Sequence, residues 1–246
     1  MRLGDFTPAR VSLGRSGHSL PTRALLDFQL AHAQARDAVH LPLDVRLLSL
    51  ELQQKQIKFV TLRSAAPDRA TYLRRPDFGR KLDAESRERL RSLASEYDAV
   101  FVIADGLSAL AVHRHAVPLL THVLPELEKS DWWIAPVAVV EQGRVAIADE
   151  IGQLVGAKLS VILIGERPGL TSPDSLGVYL TWQPKPGRTE AERNCISNIR
   201  AEGLSYSAAA QTLLFLMNES RRLKLSGFQL KQDARALAPT RSCSDA

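Results

Sequence analysis

The sequence predicts an α/β fold: a mostly parallel, Rossmann-like sheet flanked by helices, with a smaller helical portion at the N-terminus. The first observation is a set of unbroken apolar runs such as 161–164, which cannot alternate inward and outward and are typical of strands buried on both faces. The second is that these runs alternate with helical periodicity, an order that right-handed crossovers convert into a parallel sheet. The third is the length of 246 residues, which fits one large or two small domains.

The N-terminal part is predicted to be mainly helical. A helix should begin near Pro21, because apolar residues then recur at helical spacing over 25–35. Residues 58–62 alternate in polarity and are typical of a strand. The stretch 72–80 is dense in arginine and is predicted to be a loop. We assign residues 1–76 to an N-terminal portion that packs on the main domain.

The main domain is predicted to span 77–232. Asp83 is typical of a helix N-cap, and its helix should run to about Tyr97. Ser108 is predicted to cap the helix after the first buried strand, with an anion site there as the alternative. Further strands are predicted at 99–104, 134–140, 159–164 and 178–182, and helices at 147–155, 190–200 and 207–224. The polar tail 233–246 is predicted to be disordered.

Composition narrows the possible functions. The net charge of +5 comes from interspersed signs, and aromatic residues make up only 6%, so nucleic-acid binding is not favoured. Contact with one anionic group inside a cofactor fits this charge equally well. The two cysteines, Cys195 and Cys243, are far apart, which argues against a disulfide framework and a CxxC metal site. No apolar run is long enough to cross a bilayer, and we expect an intracellular, soluble protein.

The most informative segment is 161–170. Its buried strand breaks at Gly165 into Glu166, Arg167, Pro168 and Gly169, and in open parallel sheets ligands bind at the carboxyl ends of strands. Glu166 can accept from amides or hydroxyls, and Arg167 can donate to phosphate or carboxylate. The alternative is a turn with a solvated ion pair, which contributes little.

Other chemistry-bearing residues are weaker candidates. Cys195 has no histidine near it in sequence to act as a base, so its default role is a small buried residue against the sheet. A second role is steric, since a small side chain lets a flat ligand approach the backbone. His113 and His115 would point to different helix faces, which disfavours a metal site. The chain also lacks a P-loop, a G-x-S-x-G elbow and an H-E-x-x-H motif, which favours a chain that shapes a site over one that runs a reaction alone.

Six ordered stretches resemble a known family, the small (light) subunits of ethanolamine ammonia-lyase. The resemblance covers nearly the whole chain, from Thr7 to about Lys224. The stretches are Tyr72–Asp77, Ile103–Ser108, Gly143–Ile147, Gly165–Leu170, Ser172–Leu176 and Asn194–Ile199. Several long matches in the same order are far more specific than any single short motif.

The resemblance implies an adenosylcobalamin-dependent carbon–nitrogen lyase that converts ethanolamine to acetaldehyde and ammonia by a radical mechanism. It implies a TIM-barrel large subunit that holds the substrate, while this subunit packs on it, partly through residues 1–76, and closes over the cofactor. Large–small pairs would assemble into a higher hetero-oligomer. Val145, Glu166 and Cys195 match the family's cobalamin contacts, and we expect neither a catalytic residue nor a metal ligand in this chain, and neither a nucleic-acid nor a membrane partner.

Two further expectations come from comparison with cobalamin proteins. No Asp-x-His-x-x-Gly motif occurs, so the cofactor is expected to keep its own lower base (base-on). Only Met1–Phe6 precede the match, so we expect a cytoplasmic enzyme, with packaging in a bacterial microcompartment as the alternative. Two rival functions remain: a module that scaffolds or shuttles cobalamin, and an independent α/β enzyme using Glu166 or Cys195. The missing paired base counts against the second.

Overall fold

A computed structural model describes residues 10–11 and 13–230, which form one six-stranded sheet and seven α-helices. The strands are β1 Phe59–Arg63, β2 Ala99–Ala104, β3 Val137–Glu141, β4 Leu159–Gly165, β5 Leu176–Trp182 and β6 Arg193–Ile199. The helices are α1 Thr22–His40, α2 Val45–Gln54, α3 Arg69–Arg74, α4 Ala84–Arg91, α5 Ala109–Lys129, α6 Ile147–Val155 and α7 Tyr206–Leu223. Short 3-10 helices cover Phe78–Arg80, Glu190–Glu192 and Gly227–Gln229.

The α/β class is confirmed, but the sheet is mixed. Its strand order is β1-β3-β2-β4-β5-β6, in which the first four strands are parallel. Strand β5 is antiparallel to β4, and β6 is antiparallel to β5. The prediction of a mostly parallel sheet is therefore corrected, because residues 166–175 join β4 to β5 without the long crossover that a parallel return needs. The Rossmann-like description stays a prediction.

Apolar packing on both faces explains the unbroken apolar runs. Every residue of β2 and β4 is buried. Phe101 and Val161 belong to the core beneath α5 and α7, whereas Val102 and Ile162 belong to the core beneath α6. Among the described residues, no helix combines the length and apolar character needed to cross a membrane.

The predicted helix at 190–200 is wrong, because most of this stretch is strand β6. Its buried residues are Arg193, Ile196 and Ile199, which recur every third position and imitate a helical pattern. The cause is a register shift between β5 and β6: Val178 pairs with Ile196, but Leu176 pairs with Ile199. A bulged strand thus loses the period of two from which strands are recognised.

Other predicted element boundaries differ from the observed ones by only a few residues. The predicted loop at 72–80 contains the end of α3 and a 3-10 turn, and the helix that Asp83 caps ends at Arg91 rather than near Tyr97. Both predicted caps are confirmed. The Asp83 side chain accepts a hydrogen bond from the Ser86 amide, and the Ser108 side chain accepts one from the Ala111 amide. Strand β1 joins the central sheet although it lies within 1–76, and a division at residue 76 stays a prediction. The tail 233–246 lies outside the described residues.

Candidate functional site at the open face of β5 and β6

Glu166 lies at the carboxyl end of β4, as the sequence predicts. Its amide donates to the Ser175 carbonyl at 2.9 Å, which closes the β4–β5 ladder. Its side chain then passes over Gly177 of β5, where a Cβ atom would lie 2.9 Å from Glu166 Oε1 and 3.0 Å from Cγ. The half-buried carboxylate therefore lies against the sheet face itself.

Three donors hold the Glu166 carboxylate. The Ser175 hydroxyl donates to Oε2, the Ser197 hydroxyl donates to Oε1 at 2.7 Å, and the Asn198 amide reaches Oε2 at 3.3 Å. An ionised carboxylate offers about four acceptor positions, so Oε1, with one donor, can accept another. Within the described part of the chain, Glu166 forms no ion pair with the exposed Arg167, so the solvated pair weighed from sequence does not form.

Cys195 is exposed on β6, so the expectation of a small buried residue is corrected. It pairs in register with Tyr179 of β5. Partial desolvation raises the pKa of the Cys195 thiol, although the Tyr179 hydroxyl opposes this. The thiol is therefore protonated near neutral pH, which suits a weakly polar contact and not a nucleophile.

Val145 occupies the segment between β3 and α6. It is half-buried, packs on the same core as Tyr179, and accepts the Ala148 amide at 3.3 Å through its carbonyl. The structure thus brings Glu166, at the end of β4, and Cys195, on β6, together across the intervening strand β5. It places Val145 on the same side of the sheet, at the N-terminal end of α6.

The Val145 segment is fixed by residues to which sequence reasoning assigned no role. Asp105 Oδ1 accepts the Gly143 amide at 2.9 Å, and the Tyr72 hydroxyl donates to the Gly143 carbonyl at 3.1 Å. The Arg144 guanidinium lies over the Tyr72 ring at 4.4 Å. Three stretches of the family resemblance therefore meet at this loop. The available sequence signal was a carboxylate directly after the buried run 99–104.

Asp105 is fully buried and paired with Arg69, whose Nη1 lies 3.1 Å from Asp105 Oδ2. Burial raises the pKa of Asp105 to about 6, although Arg69 and the Gly143 amide oppose this. Arg69 also donates to the Val39 carbonyl at 2.8 Å. This pair therefore ties the end of α1 to the carboxyl edge of the sheet.

Helix α6 is anchored to strand β6 by a buried ion pair. Arg193 of β6 donates to both carboxylate oxygens of Asp149, at 2.8 and 2.6 Å, and to the Thr181 hydroxyl at 2.9 Å. Helix α6 packs on β2 and β4, while α5 and α7 cover the opposite face of β5 and β6. Among the described residues, no helix covers the side of β5 and β6 that carries Tyr179, Cys195 and Ser197, and we call this side the open face.

The histidines of α5 serve separate local contacts. His113 Nε2 accepts the Asp44 amide at 3.0 Å, whereas His115 Nδ1 lies 2.7 Å from the Tyr206 hydroxyl. Across residues 10–11 and 13–230, no cluster of three or more His, Cys, Asp or Glu side chains is placed to hold a metal ion.

The family model described as ethanolamine ammonia-lyase light chain matches residues 1–231. The ethanolamine ammonia-lyase small subunit of Pseudomonas fluorescens Pf0-1 is 60% identical over 238 residues, covering 95% of this chain and 87% of that protein. The small subunits of Pseudomonas aeruginosa PAO1 and Azotobacter vinelandii DJ are each 58% identical, cover 96% and 95% of this chain, and are each covered to 88% of their own length.

Proposed function

Because the chain belongs to the family of ethanolamine ammonia-lyase light chains, we propose that it closes over adenosylcobalamin in a complex whose large subunit holds ethanolamine. Membership of this family implies a lyase and a large-subunit partner. The proposed reaction converts ethanolamine to acetaldehyde and ammonia by a radical mechanism. The observation that carries the proposal is the open face, where Glu166 keeps acceptor capacity beside an exposed Cys195.

The residues at the open face fit a corrinoid. A corrin ring carries peripheral amides and broad apolar faces, so its site needs a few well-placed polar groups among apolar walls. Glu166 would accept from an amide or hydroxyl through Oε1. Cys195, protonated and small, would allow a close approach to the backbone of β6. Val145 would contribute its backbone and a small apolar surface.

When bound, adenosylcobalamin supplies the radical chemistry, and protein groups orient it and exclude competing reactions. In this proposal the chain holds no catalytic residue, and its contribution is to position the cofactor with Val145, Glu166 and Cys195. The cofactor is proposed to bind base-on. Electron paramagnetic resonance of the reduced cob(II)alamin complex would test this, since coupling to a histidine nitrogen in place of the benzimidazole nitrogen would contradict it.

The N-terminal portion, 1–76, is proposed to pack on the large subunit, which the resemblance implies to be a TIM barrel within a higher hetero-oligomer. The support lies in α1. Its first half leaves Leu25, Leu26, Phe28 and Leu30 between 40% and 60% exposed. Contiguous exposed apolar residues mark protein contacts. Helix α1 is also tied through Val39 and Arg69 to the edge of the sheet near the open face.

Charges placed on α1 should prevent assembly. Leu26 and Leu30, which are 57% and 60% exposed, share one helix face, so the double substitution Leu26→Glu/Leu30→Glu should leave the folded chain intact but abolish co-purification with the large subunit. Leu223→Glu, at a leucine 42% exposed on α7, is the matched control and should still co-purify. Unchanged co-purification of the double variant would place the interface elsewhere.

Reconstitution tests the function as a whole. The purified chain alone should give no acetaldehyde from ethanolamine and adenosylcobalamin, whereas the chain co-expressed with a family large subunit should turn ethanolamine over. An enclosed radical site needs both subunits, which is the reason for this difference. Turnover by the single chain would favour an independent enzyme, and cobalamin binding by a pair that lacks turnover would favour a shuttle or scaffold module.

A further inference from the structure

The Glu166 side chain crosses from the end of β4 over β5 to β6, and each strand on its path contributes one feature. Strand β5 supplies Gly177, over which the side chain passes. The residue before β5, Ser175, and the β6 residue Ser197 each donate to a different carboxylate oxygen. The arrangement therefore spans three chain segments.

Gly177 is not required by its own backbone. Its φ lies outside the left-handed region, and its neighbours Leu176 and Val178 are ordinary buried strand residues. A Cβ at Gly177 would instead meet the Glu166 side chain, at 2.9 Å from Oε1 and 3.0 Å from Cγ, so the carboxylate would have to shift. The first distance is shorter than real Cβ atoms show, and the second lies at that limit. Glycine at this position therefore leaves room for the carboxylate on the sheet.

The two serines fix how the carboxylate is turned. Ser175 is buried at 5% exposure and donates to Oε2, while the exposed Ser197 donates to Oε1. Since the Asn198 amide also reaches Oε2, that oxygen has two donors and Oε1 has one. The remaining acceptor capacity is thus concentrated on Oε1.

We propose that Gly177, Ser175 and Ser197 are positioning residues that hold the Glu166 carboxylate in one orientation on the open face, so that Oε1 meets an N–H or O–H donor of the bound corrinoid. This proposal rests on the proposed role of Glu166 as a cofactor contact. In this proposal the three residues act on cofactor binding through Glu166.

Equilibrium binding of cyanocobalamin to the purified large–small complex tests the proposal without turnover. Ser197→Ala should weaken binding about fivefold, the usual effect of one lost hydrogen bond. Ser197→Thr keeps the hydroxyl and should bind like the parent. Gly177→Ala keeps every donor but requires the carboxylate to shift, and it should weaken binding measurably, though by no more than Glu166→Ala does. In the Glu166→Ala background, neither Ser197→Ala nor Gly177→Ala should cause a further loss, because their partner is gone.

The outcomes separate this inference from the proposed function. If Glu166→Ala weakens binding but Ser197→Ala and Gly177→Ala do not, the positioning inference alone is wrong. Equal losses in the parent and the Glu166→Ala backgrounds would also overturn it, because the residues would then act independently of Glu166. If Glu166→Ala itself leaves binding unchanged, the cofactor role of Glu166 fails and the inference fails with it. Thermal unfolding of each complex identifies any variant that binds poorly because it does not fold. In that case the comparison of Ser197→Ala with Ser197→Thr, at an exposed residue, decides whether the inference holds.

Discussion

Replacing Asp149 with alanine is expected to lower the free energy of unfolding by about 3–5 kcal/mol, the usual result of leaving a buried charge without its partner. The Asp149 and Arg193 side chains are 1% and 2% exposed, and Arg193 Nη2 lies 2.6 Å from Asp149 Oδ2. Burial raises the pKa of Asp149, although the Arg193 guanidinium acts to lower it. Without the carboxylate, Arg193 stays charged in the core because a guanidinium does not lose its proton in proteins.

Chemical denaturation of the single chain measures this effect. The control is Glu190→Ala, which removes a second carboxylate that pairs with Arg193, 3.7 Å away but 77% exposed. That substitution should change the free energy of unfolding by less than about 1 kcal/mol, because exposed pairs contribute little. A loss at Asp149→Ala no larger than at Glu190→Ala would show that α6 is not anchored by this pair.

Asp105→Ala is expected to cost a similar amount, about 3–5 kcal/mol, because Arg69 loses its partner inside the edge of the sheet and the Gly143 amide loses its acceptor. The Val145 segment should then loosen as well. Hydrogen exchange at Gly143 and Val145 would report this loosening, and unchanged protection there would contradict the role of Asp105.

The pH dependence of stability gives an independent test of Asp105. Its pKa in the folded chain is about 6, above its ordinary value of 3.8, because burial disfavours the charge. The folded chain therefore binds this proton more tightly than the unfolded chain does. The extra stability that comes from binding this proton is fully present below pH 3.8 and is lost as the pH rises through about 6, whereas the contacts of the carboxylate with Arg69 and the Gly143 amide remain. Relative to Asp105→Asn, which does not titrate, the parent should lose stability across this interval, and a constant difference would contradict the pKa assignment.

Much of the fold could be predicted from local sequence patterns. The buried runs of β2 and of residues 161–164 in β4 were recognisable because helices cover both faces of these strands, so these runs are apolar throughout. Helix α6 was predicted with its observed bounds, since its apolar residues repeat at helical spacing and Gly156 ends it in the left-handed region at φ 77°. The position of Glu166 followed from the end of β4 alone.

What could not be predicted depends on pairing between distant segments. Strand β6 was mistaken for a helix because its register shift against β5 is a property of two strands and leaves a three-residue spacing in one of them. The same limit applies to the site. Nothing local shows that Ser197 reaches back to Glu166, that Gly177 makes room for it, or that Cys195 faces the open side of the sheet.

The central claim is that the Glu166 carboxylate contacts the cofactor at the open face. Its most direct test is the affinity of the large–small complex for adenosylcobalamin, measured with the parent, with Glu166→Ala and with the control Glu96→Ala at an exposed glutamate before β2. Glu166→Ala should weaken binding by about 1–3 kcal/mol, the penalty for removing a partially buried hydrogen-bond partner, while Glu96→Ala should have no effect. Unchanged affinity in Glu166→Ala would contradict the account. If Glu166→Ala also reduced the amount of assembled complex, while the complex that forms bound the cofactor normally, Glu166 would belong to the subunit interface.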